Sequence, residues 1–385
     1  MAKRVFLIVL DSFGIGGAKD ANLFNDVGSN TLQSVSEDKN FYAPNLTKLG
    51  LFQIDGNEHK PVDKLIGSYA RLEEKSMGKD TTIGHWEIAG CITKEAFPTY
   101  PHGFPSRILD TFKTLTGRGV LCNKPYSGTK VIVDYGRQHI ESGDLIVYTS
   151  SDSVFQIAAH EYKISVEQLY RYCEIARKLL KDEDSVARVI ARPFTGEYPN
   201  YKRTSNRRDF SLAPPKNMLD LLMENNKSVI SVGNIYDIFA GRGFSEEYHT
   251  TSNSDGENKT IKLIDKDFEG LCFVNLVDFD MLYGHRNDIT GYARAITEFD
   301  KNLGIILNKL KDDDMLIITA DHGCDPATIS TDHSRENTPL LIYGKKLKKG
   351  VNLGIGNFSD ISATILDYFN IRNTLAGKSK LDYLV

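Results

Sequence analysis

Three strongly apolar runs, each about the length of one buried strand, lead directly into acids. They are Val5 to Leu10, Leu271 to Val277 and Met315 to Ala320, followed by Asp11, Asp280 and Asp321. Strongly apolar runs of this length suit strands buried on both faces, as in a parallel sheet covered by helices. Ligands of such a sheet sit beyond the C-terminal strand ends. Three acids hundreds of residues apart are therefore expected to converge. One Asp alone would be read as a turn former or helix N-cap. Three together repel one another unless a cation neutralises them, and His285, His322 and His333 stand close to two of them in the chain. Six such oxygen and nitrogen donors suffice for two metal ions.

At 385 residues the chain exceeds what one hydrophobic core usually supports, so two domains are expected. A net charge of −4 gives no electrostatic ground for a nucleic acid or an anionic membrane as partner. The five cysteines are scattered and never form a CxxC pair, which suits reduced thiols and a cytoplasmic location. The opening MAKRVFLIVLD has charge before an apolar run, yet the run is only strand-long and ends in an acid, unlike a signal peptide. No stretch approaches the roughly 18 apolar residues of a membrane span.

Apolar runs alternate with amphipathic helical patterns, which predicts an α/β fold with a mostly parallel sheet. Helices are expected over Ser165 to Lys181, Tyr292 to Leu310 and Ser359 to Phe369. Pro98, Pro101 and Pro105, and later Pro214 and Pro215, mark two crossings where neither helix nor central strand is favoured. Strands at Leu145 to Thr149 and Val186 to Ala191 lie between these crossings. Residues 97–213 are thus expected to form a smaller inserted α/β cap domain, and residues 1–96 with 214–385 a discontinuous metal-binding core.

Asp11 to Gly17 has a strand leading into glycines, but Lys19 occupies the third glycine position of a dinucleotide loop. These glycines read instead as turn formers that let backbone approach an ion or phosphate. Gly78 to Gly90 carries hydroxyls, charges and the chain's only Trp. Thr81 or Thr82 beside a two-metal site would make a phosphoryl acceptor, because metal coordination supplies the activation a hydroxyl lacks; their spacing does not choose between them. In the insert, Ser150 to Ser153, Arg188 to Pro193 and Arg203 to Asp209 concentrate arginines whose planar forks suit phosphate, with Asp152 as an acceptor for sugar hydroxyls.

Seven strings occur in order: DSFGIG from Asp11, GKDTTIGHWE from Gly78, YTSSDSVFQIAAHE from Tyr148, RVIARPFTGE from Arg188, NLVDFDMLYGHRND from Asn275, ITADHGCDP from Ile318 and TDHSRE from Thr331. Together they resemble the phosphopentomutase family of the alkaline phosphatase superfamily, over the chain to at least residue 370. The resemblance implies an alkaline phosphatase-like core and an isomerase of nucleoside salvage that interconverts ribose or deoxyribose 1-phosphate and 5-phosphate. It implies two Mn2+ ions, one held by Asp11, Asp321 and His322 and the other by Asp280, His285 and His333. It selects Thr81 as the phosphorylated nucleophile and matches Asp152, Arg188 and Arg203 to positions that grip the pentose phosphate. A sugar bisphosphate such as glucose 1,6-bisphosphate is implied as activator, and an inserted cap that closes over the reaction. Two positions depart from the family pattern: Asn234 stands where Lys is usual, and Cys324 where Asn is usual. The rival readings are a metal-dependent phosphatase or phosphodiesterase of the same superfamily, and a non-catalytic sugar-phosphate sensor.

Overall fold

The structure is a computed structural model that describes residues 3–56, 62, 64–150 and 152–385. Ser151, part of one of the motifs above, lies outside them. The chain divides into two compact units, Met1–Glu95 with Pro214–Val385, and Ala96–Ala213.

The first unit is built on an eight-stranded sheet whose spatial order is Glu246–Tyr248, Ser228–Val232, Gly270–Leu276, Arg4–Leu10, Asp314–Thr319, Thr338–Tyr343, Ser68–Glu73 and Asn352–Asn357. The first five strands run parallel. Thr338–Tyr343 is antiparallel to both of its neighbours, and Asn352–Asn357 is again parallel to Ser68–Glu73. The three central strands are the three apolar runs, each beginning one residue before its apolar stretch, and the second and third also ending one residue before it. They are buried along their whole length, so both faces need apolar side chains. Register pairs Leu10 with Leu276 and Val9 with Thr319. The chain therefore leaves all three strands at one level of one sheet edge.

Helix Ile289–Lys309 covers one face, packing Ile296, Phe299, Leu303 and Ile306 into a core with Phe6, Ile8, Leu316 and Ile318. It starts three residues before Tyr292, because the Asp288 side chain accepts from Gly291 N and caps it there. The last predicted helix spans Asp360–Tyr368.

The second unit has a sheet in the order Val120–Pro125, Leu145–Thr149, Val154–His160, Arg188–Thr195 and Lys202–Arg203, with Arg208–Ser211 also pairing Arg188–Thr195. Helix Val166–Leu179 is capped by Ser165 and buries Leu169, Tyr172, Cys173 and Ala176. The strand expected at Val186 to Ala191 runs instead from Arg188 to Thr195, through Pro193. Pro193 is tolerated because the chain has changed partner there: Arg208–Ser211 pairs up to Ala191, and Lys202–Arg203 takes over from Phe194.

Candidate metal centre

Asp11 and Asp321 are fully buried at the ends of adjacent strands. Ser12 bends the chain with a left-handed backbone (φ 68°), and its N–H donates to Asp321 Oδ1 at 3.1 Å. Such a conformation in a non-glycine residue costs energy and is held only where surrounding contacts enforce it. His322 follows Asp321 directly; its Nε2 lies 3.4 Å from Asp11 Oδ1 and 3.3 Å from Asp321 Oδ2. Asp280 sits in a π-helical turn, Phe279–Tyr283, after the Gly270–Leu276 strand. Its two oxygens face His285 Nε2 at 3.0 Å and His333 Nε2 at 3.5 Å. The rings of His322 and His333 stack with centroids 3.8 Å apart, which joins the two groups into one cluster.

The tautomers of the three histidines follow from their outer contacts. Nδ1 of His285 lies 2.6 Å from the Thr331 carbonyl, that of His322 lies 3.0 Å from the Gly323 carbonyl, and that of His333 lies 3.0 Å from the Lys79 carbonyl. A carbonyl only accepts, so each Nδ1 carries a proton and each Nε2 is the ring atom turned toward carboxylates. Such an arrangement of Nε2 atoms and carboxylate oxygens is held together by a proton or a metal cation among them. Asp11 Oδ1, Asp280 Oδ1, Asp321 Oδ2 and His333 Nε2 are buried with no hydrogen-bond partner. Buried polar atoms are rarely left so, and here they line the space a divalent ion would occupy. Orienting a metal-binding imidazole through a carbonyl on its other nitrogen is the common arrangement of metal sites. The residues present fit a metal cofactor.

Without an ion, the charges redistribute onto protons. Burial lowers the basicity of His322, but Asp321 and Asp11 outweigh it and hold the imidazole well above its ordinary value. Burial likewise raises Asp280, yet His333 and His285 bring its carboxyl well below the carboxylate range. Burial, with Asp321 adding to it, pushes Asp11 up. A cation would stand in for the protons that the metal-free cluster recruits.

Three groups of donors lie close enough to hold an ion: Asp11, Asp321 and His322; Asp280, His322 and His333; and Asp280, His285 and Cys324. The first is the trio implied by the resemblance. In the others Asp280 is shared, and Cys324 enters where no ligand was expected.

Thr81 is the first residue of helix Thr81–Ile88, whose N-cap Asp80 accepts from Ile83 N. Its Oγ1 lies 3.1 Å from His322 Nε2. Thr82, its neighbour, is 3% exposed and packs into the helix's buried side. Close approach of this helix depends on Gly84, where a Cβ would come within 2.1 Å of the Asp321 carbonyl oxygen. His85, one turn after Thr81, has its Nδ1 2.8 Å from the Thr81 carbonyl and 3.1 Å from Asp321 Oδ2. Asn275 Nδ2 donates to Asp11 Oδ2 at 2.7 Å. Neither His85 nor Asn275 was singled out from sequence, although an i, i+4 step from Thr81 and a lone polar residue in an apolar strand were visible signals.

Gly16 and Gly17 have left-handed backbone (φ 67° each), as turn formers do, and Gly14 makes room for a buried acid. A Cβ on Gly14 or on Gly323 would come 2.4 Å from the side chain of Glu336. Glu336 is buried and accepts from Gly16 N, Thr31 N, Thr31 Oγ1 and Ser334 Oγ. The glycines thus wrap a buried carboxylate that ties the Asp11 loop to the His333 segment.

In the second unit, Arg188 faces Asp152 at 3.9 Å and Asp209 at 3.6 Å, and its Nε is buried without a partner. Arg203 donates to the Gly128 carbonyl at 3.1 Å and reaches the Tyr148 hydroxyl at 3.5 Å.

Residues 3–373 match the metalloenzyme superfamily. The chain is 56% identical to the phosphopentomutase of Lachnoclostridium phytofermentans, covering 99% of this chain and 98% of that one. It is 54% identical to the phosphopentomutase of Acetivibrio thermocellus, covering 98% and 99%. Among solved structures, Leishmania mexicana phosphoglycerate mutase shares the fold with a TM-score of 0.51 at 11% identity, covering 99% of this chain and 98% of that one. With a cluster of acids and imidazoles at the edge of a mostly parallel sheet and similarity to such relatives over nearly all of its length, the chain belongs to the phosphopentomutase family of metalloenzymes.

Proposed function

We propose that the chain interconverts α-D-ribose 1-phosphate, or its 2-deoxy form, and the corresponding 5-phosphate by way of phospho-Thr81 and a sugar bisphosphate intermediate. The observation that carries this reading is Thr81 Oγ1 at 3.1 Å from His322 Nε2, at the N-terminus of a helix and against the cluster of acids and imidazoles. Asp11, Asp321 and His322 would hold one Mn2+, and Asp280, His285 and His333 the other; the mixed oxygen and nitrogen donors suit that ion. Bound there, the ions supply charge neutralisation for the transferring phosphoryl group and activation of the hydroxyl.

The chain's own groups do the rest. The helix N-terminus directs free N–H groups and partial positive charge toward a phosphate on Thr81. Asn275 holds Asp11 in place by donating to its Oδ2, and His85 stands beside Asp321 with Nδ1 3.1 Å from Oδ2. Asp152, Arg188 and Arg203 would grip the pentose phosphate, the arginines binding phosphate oxygens and Asp152 accepting from sugar hydroxyls. A sugar bisphosphate such as glucose 1,6-bisphosphate would prime Thr81. Small pentose phosphates are then the partners, in the cytoplasm. Among the described residues no helix is long and apolar enough to cross a membrane.

The test is an assay of ribose 1-phosphate with Mn2+ that follows isomerisation and phosphate release separately. Isomerisation that depends on a bisphosphate, with little free phosphate, is the expected result. Phosphate release as fast as isomerisation would make the chain a phosphatase instead.

A further inference from the structure

We propose that Cys324 is a sulfur ligand at the Asp280 and His285 end of the centre, so that this end accepts a thiophilic divalent ion such as Cd2+ or Zn2+ through a metal–thiolate bond. The inference rests on reading the cluster as a metal centre and adds a donor of a different chemical class to it. Ligand atoms of Asp280, His285 and Cys324 all lie within 4.8 Å of one another. Ligands of one tetrahedral ion at ~2.0–2.3 Å stand about 3.3–3.8 Å apart, so side-chain movement that carries Sγ, 4.0 Å from His285 Nδ1, toward the Nε2 side of the ring closes the set around an ion.

The sulfur is in a prepared place. Cys324 is 1% exposed, and its Sγ lies 3.5 Å from the Asp332 carbonyl and 4.0 Å from His285 Nδ1. Gly284, just before His285, leaves room for it, since a Cβ there would come 2.9 Å from Sγ. His285 already gives its Nδ1 proton to Thr331, so its Nε2 is the ligand atom and faces Asp280. Independently of the cysteine, Asp280 Oδ1 and His333 Nε2 are buried with no hydrogen-bond partner. The other four cysteines join no such donor group among the described residues.

On binding, the S–H bond breaks, the sulfur–metal bond forms and the proton leaves to solvent; nothing is oxidised or reduced. Thiolate is a soft donor and selects Zn2+ and related ions over Mn2+, which prefers oxygen. The end of the centre that contains Cys324 should therefore bind soft ions more tightly than an all oxygen and nitrogen site would.

The experiment titrates the metal-free full chain with Co2+ and with Cd2+, measuring near-ultraviolet absorption, with bound metal counted by equilibrium dialysis. Sulfur-to-metal charge-transfer absorption is expected in the wild type and absent in Cys324→Ser and Cys324→Asn. Competition calorimetry should show the preference for Cd2+ over Mn2+ falling at least about tenfold in both variants, by loss of the soft donor. Bound Co2+ or Cd2+ without that absorption in the wild type overturns the sulfur ligand and leaves the metal centre standing. Absorption that persists in the variants also overturns it. Failure to take up any ion overturns both readings. The wild-type spectrum decides the question even where a variant folds poorly.

Discussion

Thr81 Oγ1 and His322 Nε2 stand 3.1 Å apart, although 241 residues separate them. Two features create the contact. Asp80 caps the helix so that Thr81 is its first residue, and Gly84 lets the same helix press against the Asp321 carbonyl. Thr81→Ala should lower turnover on the order of 10^4-fold or more, as loss of a nucleophile does, and abolish phosphoryl labelling by a sugar bisphosphate. Thr82→Ala should keep turnover and label and cost about 1 kcal/mol of stability for its buried side chain. Peptide mapping that found the phosphate on Thr82 would reverse the assignment.

Arg335, two residues after His333, fastens the loop that leads to Thr81. It donates to the Gly78 carbonyl at 2.6 Å and the Glu74 carbonyl at 2.9 Å, and pairs with Glu74 Oε2 at 2.5 Å and Asp20 Oδ2 at 2.8 Å. His333 itself contacts the Lys79 carbonyl of that loop. Burial pushes the Glu74 carboxyl well above its usual range despite the arginine, so removing Arg335 would leave an acid that cannot stay charged. Arg335→Met should cost about 3–5 kcal/mol in thermal unfolding, the usual penalty for breaking a buried pair. Arg335→Lys keeps the charge without the fork; its kcat should fall while KM for ribose 5-phosphate holds. A drop in stability with unchanged kcat in the lysine variant would show that Arg335 only braces the fold.

Much of this centre was readable because strand ends carry information twice, as hydrophobicity and as the acid that follows. Asp11, Asp280 and Asp321 converge for that reason. The strand bounds moved by one residue because pairing, which sets them, begins at Arg4, Gly270 and Asp314 rather than at the first apolar side chain. Arg4 is buried by its own pair with Asp314 at 2.6 Å, which no apolar pattern reveals. His85 and Asn275 escaped notice because their roles exist only once the Thr81 helix crosses the sheet edge. Glu336 was equally hidden: three of its four donors, on Gly16 and Thr31, come from more than 300 residues earlier in the chain, and Gly14, which makes room for it, resembled part of a ligand loop.

Asn234 stands exposed just past the Ser228–Val232 strand, after a Gly233 whose Cβ would meet the Asn275 carbonyl at 2.5 Å. Asn275 in turn holds Asp11, so position 234 is close in the fold to the centre. Arg242, eight residues further along the chain, does not replace a lysine here, being engaged by Asp220 at 2.8 Å and the Pro214 carbonyl at 3.1 Å. A charge-assisted contact to phosphate is worth about 1.5–3 kcal/mol. Asn234→Lys should therefore lower KM for ribose 5-phosphate roughly tenfold or more. An unchanged KM in steady-state kinetics would show that position 234 does not reach the substrate.

Glu257 gives a pH signature at a carboxyl outside the cluster of acids and imidazoles. It lies in helix Asn253–Asp265, 4% exposed, with Asn302 of helix Ile289–Lys309 donating to its Oε2. Burial pushes its carboxyl up to about 7 from 4.5, against the opposing pull of Asn302. A folded-state value above the unfolded one means that the folded chain binds the proton more tightly. The contribution to stability is then fully present below pH 4.5 and is lost as pH rises through about 7. The shift corresponds to about 3 kcal/mol at most. Glu257→Gln keeps the acceptor for Asn302 and cannot ionise, so it should remove this loss. Chemical denaturation of the two proteins at pH 5 and pH 8 checks it: the glutamine variant should gain relative to wild type by about 2–3 kcal/mol between the two pH values. An equal pH dependence in both would mean that Glu257 reaches water when the helices move, and that the proton it binds in the packed state contributes nothing to folding.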